Sequence, residues 1–164
     1  MVVNRYNNGK LKISNDALKT MNECRQKTIE NQKEYCGVLL GREIIKTSDI
    51  IIDIITEPSP RDIQKKFYFF RDNKYHQKKI IEVWKKSEGT CNYLGEWHTH
   101  LEDIPTPSPT DVKEWKKALK KFKFDGNELF FIIVGLKEIS VWEGNKTDLS
   151  INKLNDYHNF DNLI

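Results

Sequence analysis

Apolar positions recur at spacings of three and four through Ala17, Leu18, Met21, Cys24 and Thr28. That period predicts a helix with one buried face. Ser14 or Asn15 stands where its cap belongs, just after a short strand in "KLKIS". The run "YCGVLLGR" is apolar, too short for a helix and ends near Gly41, so it reads as a buried strand. "IIKTSDIIIDIITEPSP" is rich in β-branched residues and reads as strand material with a turn near Ser48 and Asp49, stopped by Pro58 and Pro60. "KFYFF" is a further strand candidate. A second helix, capped by Asp72 or Asn73, runs to about Ser87 with Ile80, Val83 and Trp84 inward, and Gly89 closes it.

In "CNYLGEWHTH" strict alternation puts Glu96, His98 and His100 on one strand face and Gly95, Trp97 and Thr99 on the other. Trp97 is therefore expected in the core. Three prolines, Pro105, Pro107 and Pro109, hold the next loop extended. A third helix is expected over about 110–123, with Val112, Trp115, Leu119 and Phe122 as its inner stripe. "ELFFIIVGL" and "EISVWEG" read as a hairpin turning near Leu136 and Lys137. The chain after about residue 145 gives no reading. Strands interleaved with three helices predict one α/β layer domain over residues 1–164, a twisted mixed sheet flanked by about three helices.

Composition bounds this picture without changing it. Of 164 residues, 38% are apolar and 31% charged, an ordinary globular balance. No apolar run approaches the roughly 20 residues that cross a bilayer, and the start lacks a secretory pattern, so a cytoplasmic protein without membrane association is expected. Three cysteines, Cys24, Cys36 and Cys91, are odd in number and widely spaced, which fits a reducing compartment and apolar packing. The lysines of "HQKKIIEVWKK" and "VKEWKKALKKFKF" read as the wet faces of two amphipathic helices. With a net charge of only +3, no nucleic-acid partner is expected.

The chemistry concentrates in "GEWHTHLEDIPTPSPTD". His98 and His100, two apart on one strand face, can converge on a single ion. Asp111, on the first turn of the following helix, is the candidate third ligand. Two histidines and one carboxylate leave a fourth tetrahedral position open, the pattern of catalytic rather than structural zinc. Ser108-Pro109-Thr110-Asp111 is also a good helix start, with serine at the cap and proline first, so the serine and aspartate have a second reading as capping residues. That reading leaves the histidine pair unexplained. His76 and His158 lack companions at ligand spacing and read as surface or boundary residues.

"HTH", seven residues, then "SPTD" resembles the signature of the JAMM (MPN-plus, JAB-domain) metallopeptidases, and "EYCGVLLG" at 34–41 matches that family's upstream glutamate strand. The order of elements also fits over about residues 8–145. One departure is Leu101, where many members have proline. The resemblance implies a JAB/MPN fold, cytidine-deaminase-like, holding Zn²⁺ through His98, His100 and Asp111. It further implies Glu34 as general base and Ser108 as donor to the oxyanion of a tetrahedral intermediate. Glu96 is a rival base by its strand face, or a residue orienting a ligand histidine. Cys36 lies on the glutamate's strand face, near the expected ion, and reads as a packing residue.

The activity implied is hydrolysis of the amide between a ubiquitin-like or other extended C-terminal protein tail and a target lysine. The run resembles small bacterial deconjugating peptidases of antiphage signalling operons. The partner implied is a protein with such a tail, or its lysine conjugate, with "LEDIPTP" offering an edge for strand addition. Relatives that have lost their ligands act as scaffolds, whereas every ligand is present here. Nucleobase deaminases want HxE followed by PCxxC, and this chain has no CxxC.

Overall fold

A computed structural model describes residues 1–154 and the backbone of 158–159. The elements in chain order are β1 (Val2–Asn4), β2 (Lys10–Ile13), α1 (Asn15–Asn31), β3 (Cys36–Glu43), β4 (Ile50–Ile55), β5 (Ile63–Lys65), β6 (Tyr68–Phe70), α2 (Asn73–Lys86), β7 (Asn92–Thr99), α3 (Pro109–Lys121), β8 (Glu128–Val134), β9 (Glu138–Asn145), β10 (Ile151–Lys153) and β11 (His158–Asn159). The main sheet runs β1-β2-β4-β3-β7-β8-β9-β10, with β11 also on β9. Its β2–β4 and β7–β8 pairs are parallel and the others antiparallel. β5 and β6 form a separate two-stranded ribbon.

Both faces of the sheet are covered, which explains why its central strands are near-continuous apolar runs. α1 buries Ala17, Leu18, Met21 and Cys24 against Leu39, Trp97, Phe130 and Ile132. On the other face α3 packs Trp115, Ala118 and Leu119 on Leu129, Phe131, Ile133 and Trp142. α2 sets Ile80 and Val83 over Val38 and Leu40. β8 thus sends alternate residues to opposite cores.

Alternation along β7 is reset by a bulge. The β3–β7 register slips between Leu39 and Leu40, so Leu94 has no opposite number. Gly95 takes φ +140°, and a Cβ there would lie 1.8 Å from the Phe130 carbonyl oxygen. A glycine is therefore required by both conformation and space. Beyond it Trp97 points into the α1 core, as alternation predicted, and the histidines point to the α3 side.

Several sequence expectations change. Trp84 is not inward but 49% exposed, because its indole lies over the left-handed turn at Gly89 instead of reaching the sheet. α3 ends at Lys121, and Phe122 leaves the helix as its extended C-cap, 39% exposed, against the edge of Tyr93. Val112 is only partly buried. β1, β5, β10 and β11 were not anticipated; each is only two or three residues long.

Candidate metal centre

The site lies at the C-terminal ends of the parallel neighbours β7 and β8, where α/β sheets commonly bind ligands. β3 and β7 run antiparallel, with Cys36 opposite His98. Just before β3, the N–H of Tyr35 donates to Thr99 Oγ1 at 2.8 Å and its carbonyl accepts from the N–H of Thr99, also at 2.8 Å. Thr99 separates the two histidines and also shares a 2.6 Å hydroxyl contact with Thr28 of α1. Glu34 is thereby anchored one residue from the clamp, and its own N–H donates to the Lys65 carbonyl at 3.0 Å.

His98 Nε2 and His100 Nε2 approach to 3.0 Å. Asp111 faces both, with Oδ1 3.4 Å from His98 Nε2 and Oδ2 3.5 Å from His100 Nε2. His98, His100 and Asp111 are all buried. A tetrahedral ion with bonds of about 2.0–2.1 Å separates its ligands by about 3.3–3.4 Å. With one ligand atom taken from each residue the three lie within 4.8 Å of one another, so small side-chain adjustments would let them hold a divalent metal.

Electrostatics point the same way. Burial pulls the basicity of His98 down to about 3, with His100 adding to burial and Asp111 opposing it. Burial opposes charge on His100 too, but the bond to Asp111 and the carboxylates of Glu34 and Glu102 outweigh it and raise its pKa. Burial would raise Asp111 as well; the His100 bond, the His98 charge and Ser108 overcome this and hold it far below the usual carboxylate range. His98 is thus held neutral and Asp111 ionised, the states in which each can serve as a metal ligand. Glu34 is pushed up to about 7, mainly by burial, with Asp111 and Glu102 adding and His100 opposing.

The residues singled out in the sequence divide cleanly. His98, His100 and Asp111 converge, and Glu34 sits within electrostatic reach of His100 and Asp111. Ser108 serves the capping reading: its Oγ donates to Asp111 Oδ2 at 2.6 Å and accepts from the Asp111 N–H at 3.2 Å. Glu96 shares the histidines' face, but its carboxylate is committed to Arg71 and to Tyr93 Oη, which donates to it at 3.2 Å. Cys36 is fully buried with Sγ 3.9 Å from Asp62, and burial keeps it a thiol.

His76 corrects the surface reading. It is 2% exposed, with Nδ1 2.7 Å from Thr56 Oγ1 and Nε2 3.4 Å from Asp62. The side chain of His158 lies outside the described residues. In the loop after His100, the carbonyls of Glu102 and Asp103 already accept from Leu136 and from Lys137 and Glu138. An added strand would have to find other groups there. A cleft of about 410 Å³ lined by Ile80, Trp84, Tyr93 and Phe124 contains none of the site residues. Phe69, Arg71 and Asp62 were missed; only the aromatic run 67–70 marked this segment.

A curled mixed sheet with three helices and this His-His-Asp cluster defines the class of JAB-type domains. The family described as prokaryotic homologs of the JAB domain matches residues 21–145, and the chain belongs to it. Three relatives bear the name CD-NTase/cGAS isopeptidase. The one from Escherichia coli is 33% identical over 142 residues, covering 87% of this chain and 85% of the relative. The Vibrio cholerae relative is 35% identical, covering 69% of this chain and 67% of its own length. The Pseudomonas aeruginosa relative is 33% identical, covering 76% and 77%. The solution structure of a Desulfitobacterium hafniense protein shares the fold, with a TM-score of 0.60 and 15% identity, covering 87% of this chain and 88% of that one. Among the described residues, no helix is long and apolar enough to cross a membrane.

Proposed function

We propose that this chain is a zinc-dependent isopeptidase, a single JAB domain that hydrolyses the amide joining a protein's extended C-terminal tail to a lysine amine. The observation that carries the reading is the pairing of a buried two-histidine, one-carboxylate cluster with a second buried carboxyl, Glu34, whose acidity responds to that cluster. The names of the relatives support a conjugate of a CD-NTase/cGAS-type protein as substrate. Three free, buried cysteines suit a cytoplasmic setting, and the resemblance suits antiphage defence.

His98, His100 and Asp111 would hold the ion. When bound, Zn²⁺ supplies Lewis-acid chemistry, making an amide carbonyl more electrophilic and a water more acidic. Glu34 takes a proton from the attacking water as the new carbon–oxygen bond forms. It passes that proton to the lysine nitrogen as the carbon–nitrogen bond breaks, a transfer worth about 10²–10⁴-fold. In the reaction the Ser108 hydroxyl donates to the carbonyl oxygen, where charge develops, exchanging its bond to Asp111 Oδ2 while the Ser108 N–H keeps that carboxylate aimed.

The test uses a purified conjugate whose tail is amide-linked to lysine. Cleavage should yield the free tail carboxylate, stop with a chelator and return with added zinc. Glu34→Ala should bind one zinc per chain by native mass spectrometry and cleave nothing. Full activity in that variant, or in chelated protein, would refute the assignment.

A further inference from the structure

Two rungs join the β5–β6 ribbon to the metal-site strand. On the first, the Phe69 ring lies 4.9 Å, centroid to centroid, from the His98 imidazole. On the second, the Arg71 guanidinium is paired with the Glu96 carboxylate. Residues two apart on one segment thus meet residues two apart on β7, in antiparallel sense. Tyr68 and Phe70 are exposed on either side of Phe69, so the ribbon turns only this aromatic inward.

His98 is flanked by two aromatic rings with different support. Trp115, 6.4 Å from the imidazole, is stacked on Phe131 at 4.6 Å inside the α3 core and cannot drift. Phe69 belongs to a ribbon outside the main sheet. Apart from the Glu34–Lys65 bond, what holds the ribbon lies at its two ends. Asp62, before β5, accepts from the N–H groups of Ser59 and Asp72 at 2.7 Å each. Arg71, after β6, reaches Glu96. The side chains of Arg71 and Glu96 are only 12% and 11% exposed, and Tyr93 Oη completes the acceptor side at 3.2 Å. A buried ion pair rarely stabilises a fold more than apolar residues of the same volume would; what a fork-shaped guanidinium adds is a fixed direction.

We propose that Arg71 and Glu96 are a positioning pair that seats Phe69 against His98 and so fixes the imidazole for metal binding. This rests on His98 being a ligand. Groups that orient a ligand histidine commonly change metal affinity 10- to 100-fold when lost.

The test measures zinc affinity by competition with a chromogenic chelator, alongside thermal unfolding of the metal-free proteins. Phe69→Ala should weaken zinc binding by about 10- to 100-fold. The double variant Arg71→Met/Glu96→Leu removes both charges, should melt no lower than the wild type, and should weaken zinc by a similar factor. Adding Phe69→Ala to it should change affinity by less than about threefold, because the pair acts through that ring. Should the double variant fail to fold, Arg71→Lys keeps the charge without the fork and should show a smaller loss in the same direction. A folded double variant, or Arg71→Lys in its place, that binds zinc like the wild type would overturn the inference alone. Losses that multiply in the triple variant would do the same. A wild type that binds no zinc would overturn the reading of the site and this inference with it.

Discussion

Ser108 and Asp111 hold each other in place: the serine hydroxyl and N–H both donate to Asp111 Oδ2, at 2.6 and 2.7 Å, while the aspartate N–H donates back to the serine oxygen. One capping box therefore both begins α3 and aims a carboxylate at the two histidines. Ser108→Ala should cost about 0.5–2 kcal/mol of stability through the lost cap. It should also weaken zinc binding by about 10- to 100-fold through the loosened carboxylate. Urea unfolding and chelator competition read the two effects separately. A stability loss with unchanged zinc affinity would show that the serine does not aim the carboxylate at the metal.

Glu34 sets the pH dependence of the proposed reaction. Its carboxyl, pushed up to about 7 by burial, must be ionised to accept a proton, so kcat/KM should fall as pH drops through its pKa. A cation added at His98, His100 and Asp111 favours the charged carboxylate and lowers that pKa. The acid limb of the zinc-loaded protein should therefore lie below pH 7. Glu34→Gln should lose about 10²–10⁴ in kcat and the limb with it. A residual rate with the same acid limb would assign that limb to another group.

Local periodicity carried much of this structure. The buried face of α1 is Ala17, Leu18, Met21, Cys24 and Thr28, the set spaced for it. The capping signal at Ser108–Asp111, which the sequence offered as an alternative to a ligand role, is obeyed by the chain, and the same box turns Asp111 toward the histidines. What periodicity could not carry was pairing between separate elements. Arg71 and Glu96 lie 25 residues apart, and His76 and Thr56 lie 20 apart. No spacing rule links them, because each sits in its own segment and only the packed fold decides who faces whom. Trp84 shows the same limit: it sits on α2's apolar stripe, yet the stripe residues that pack against Val38 and Leu40 are Ile80 and Val83.

Asp62 ties stability to acid. Burial alone would raise its pKa, but the His76 contact and the N–H groups of Asp72 and Ser59 outweigh it, and the carboxyl sits below its ordinary 3.8. A folded pKa below the unfolded one gives stability that is full above about pH 4 and lost as pH falls through the folded value. Asp62→Asn should cost about 1–3 kcal/mol at pH 7, since its bonds come to a charged acceptor. The variant's stability should also depend less on pH between 5 and 3 than the wild type's. Urea midpoints across that range test this, and parallel curves would show that Asp62 titrates alike in folded and unfolded chains.

Gly95 sets the register on which the whole site depends. Its φ of +140° and its contact with the Phe130 carbonyl leave no room for a side chain, since an added Cβ would meet that oxygen at 1.8 Å. Gly126 is a useful contrast, with φ +77° and nothing within 4 Å of a Cβ built there. Gly126→Ala should cost only the backbone penalty of a left-handed residue, about 1–2 kcal/mol. Gly95→Ala must also push β8 away from β7, and should cost more than about 3 kcal/mol. For a chain of this length, each kcal/mol lowers Tm by about 2–4 °C, so the two variants should separate clearly on a melting curve. Moving β8 also disturbs the pairing that runs from Gly95 to Thr99, on which His98 sits opposite Ile133. Zinc affinity should therefore fall in Gly95→Ala and hold in Gly126→Ala. Equal melting temperatures would mean that the bulge yields without cost, and that the histidines owe their direction to something other than this glycine.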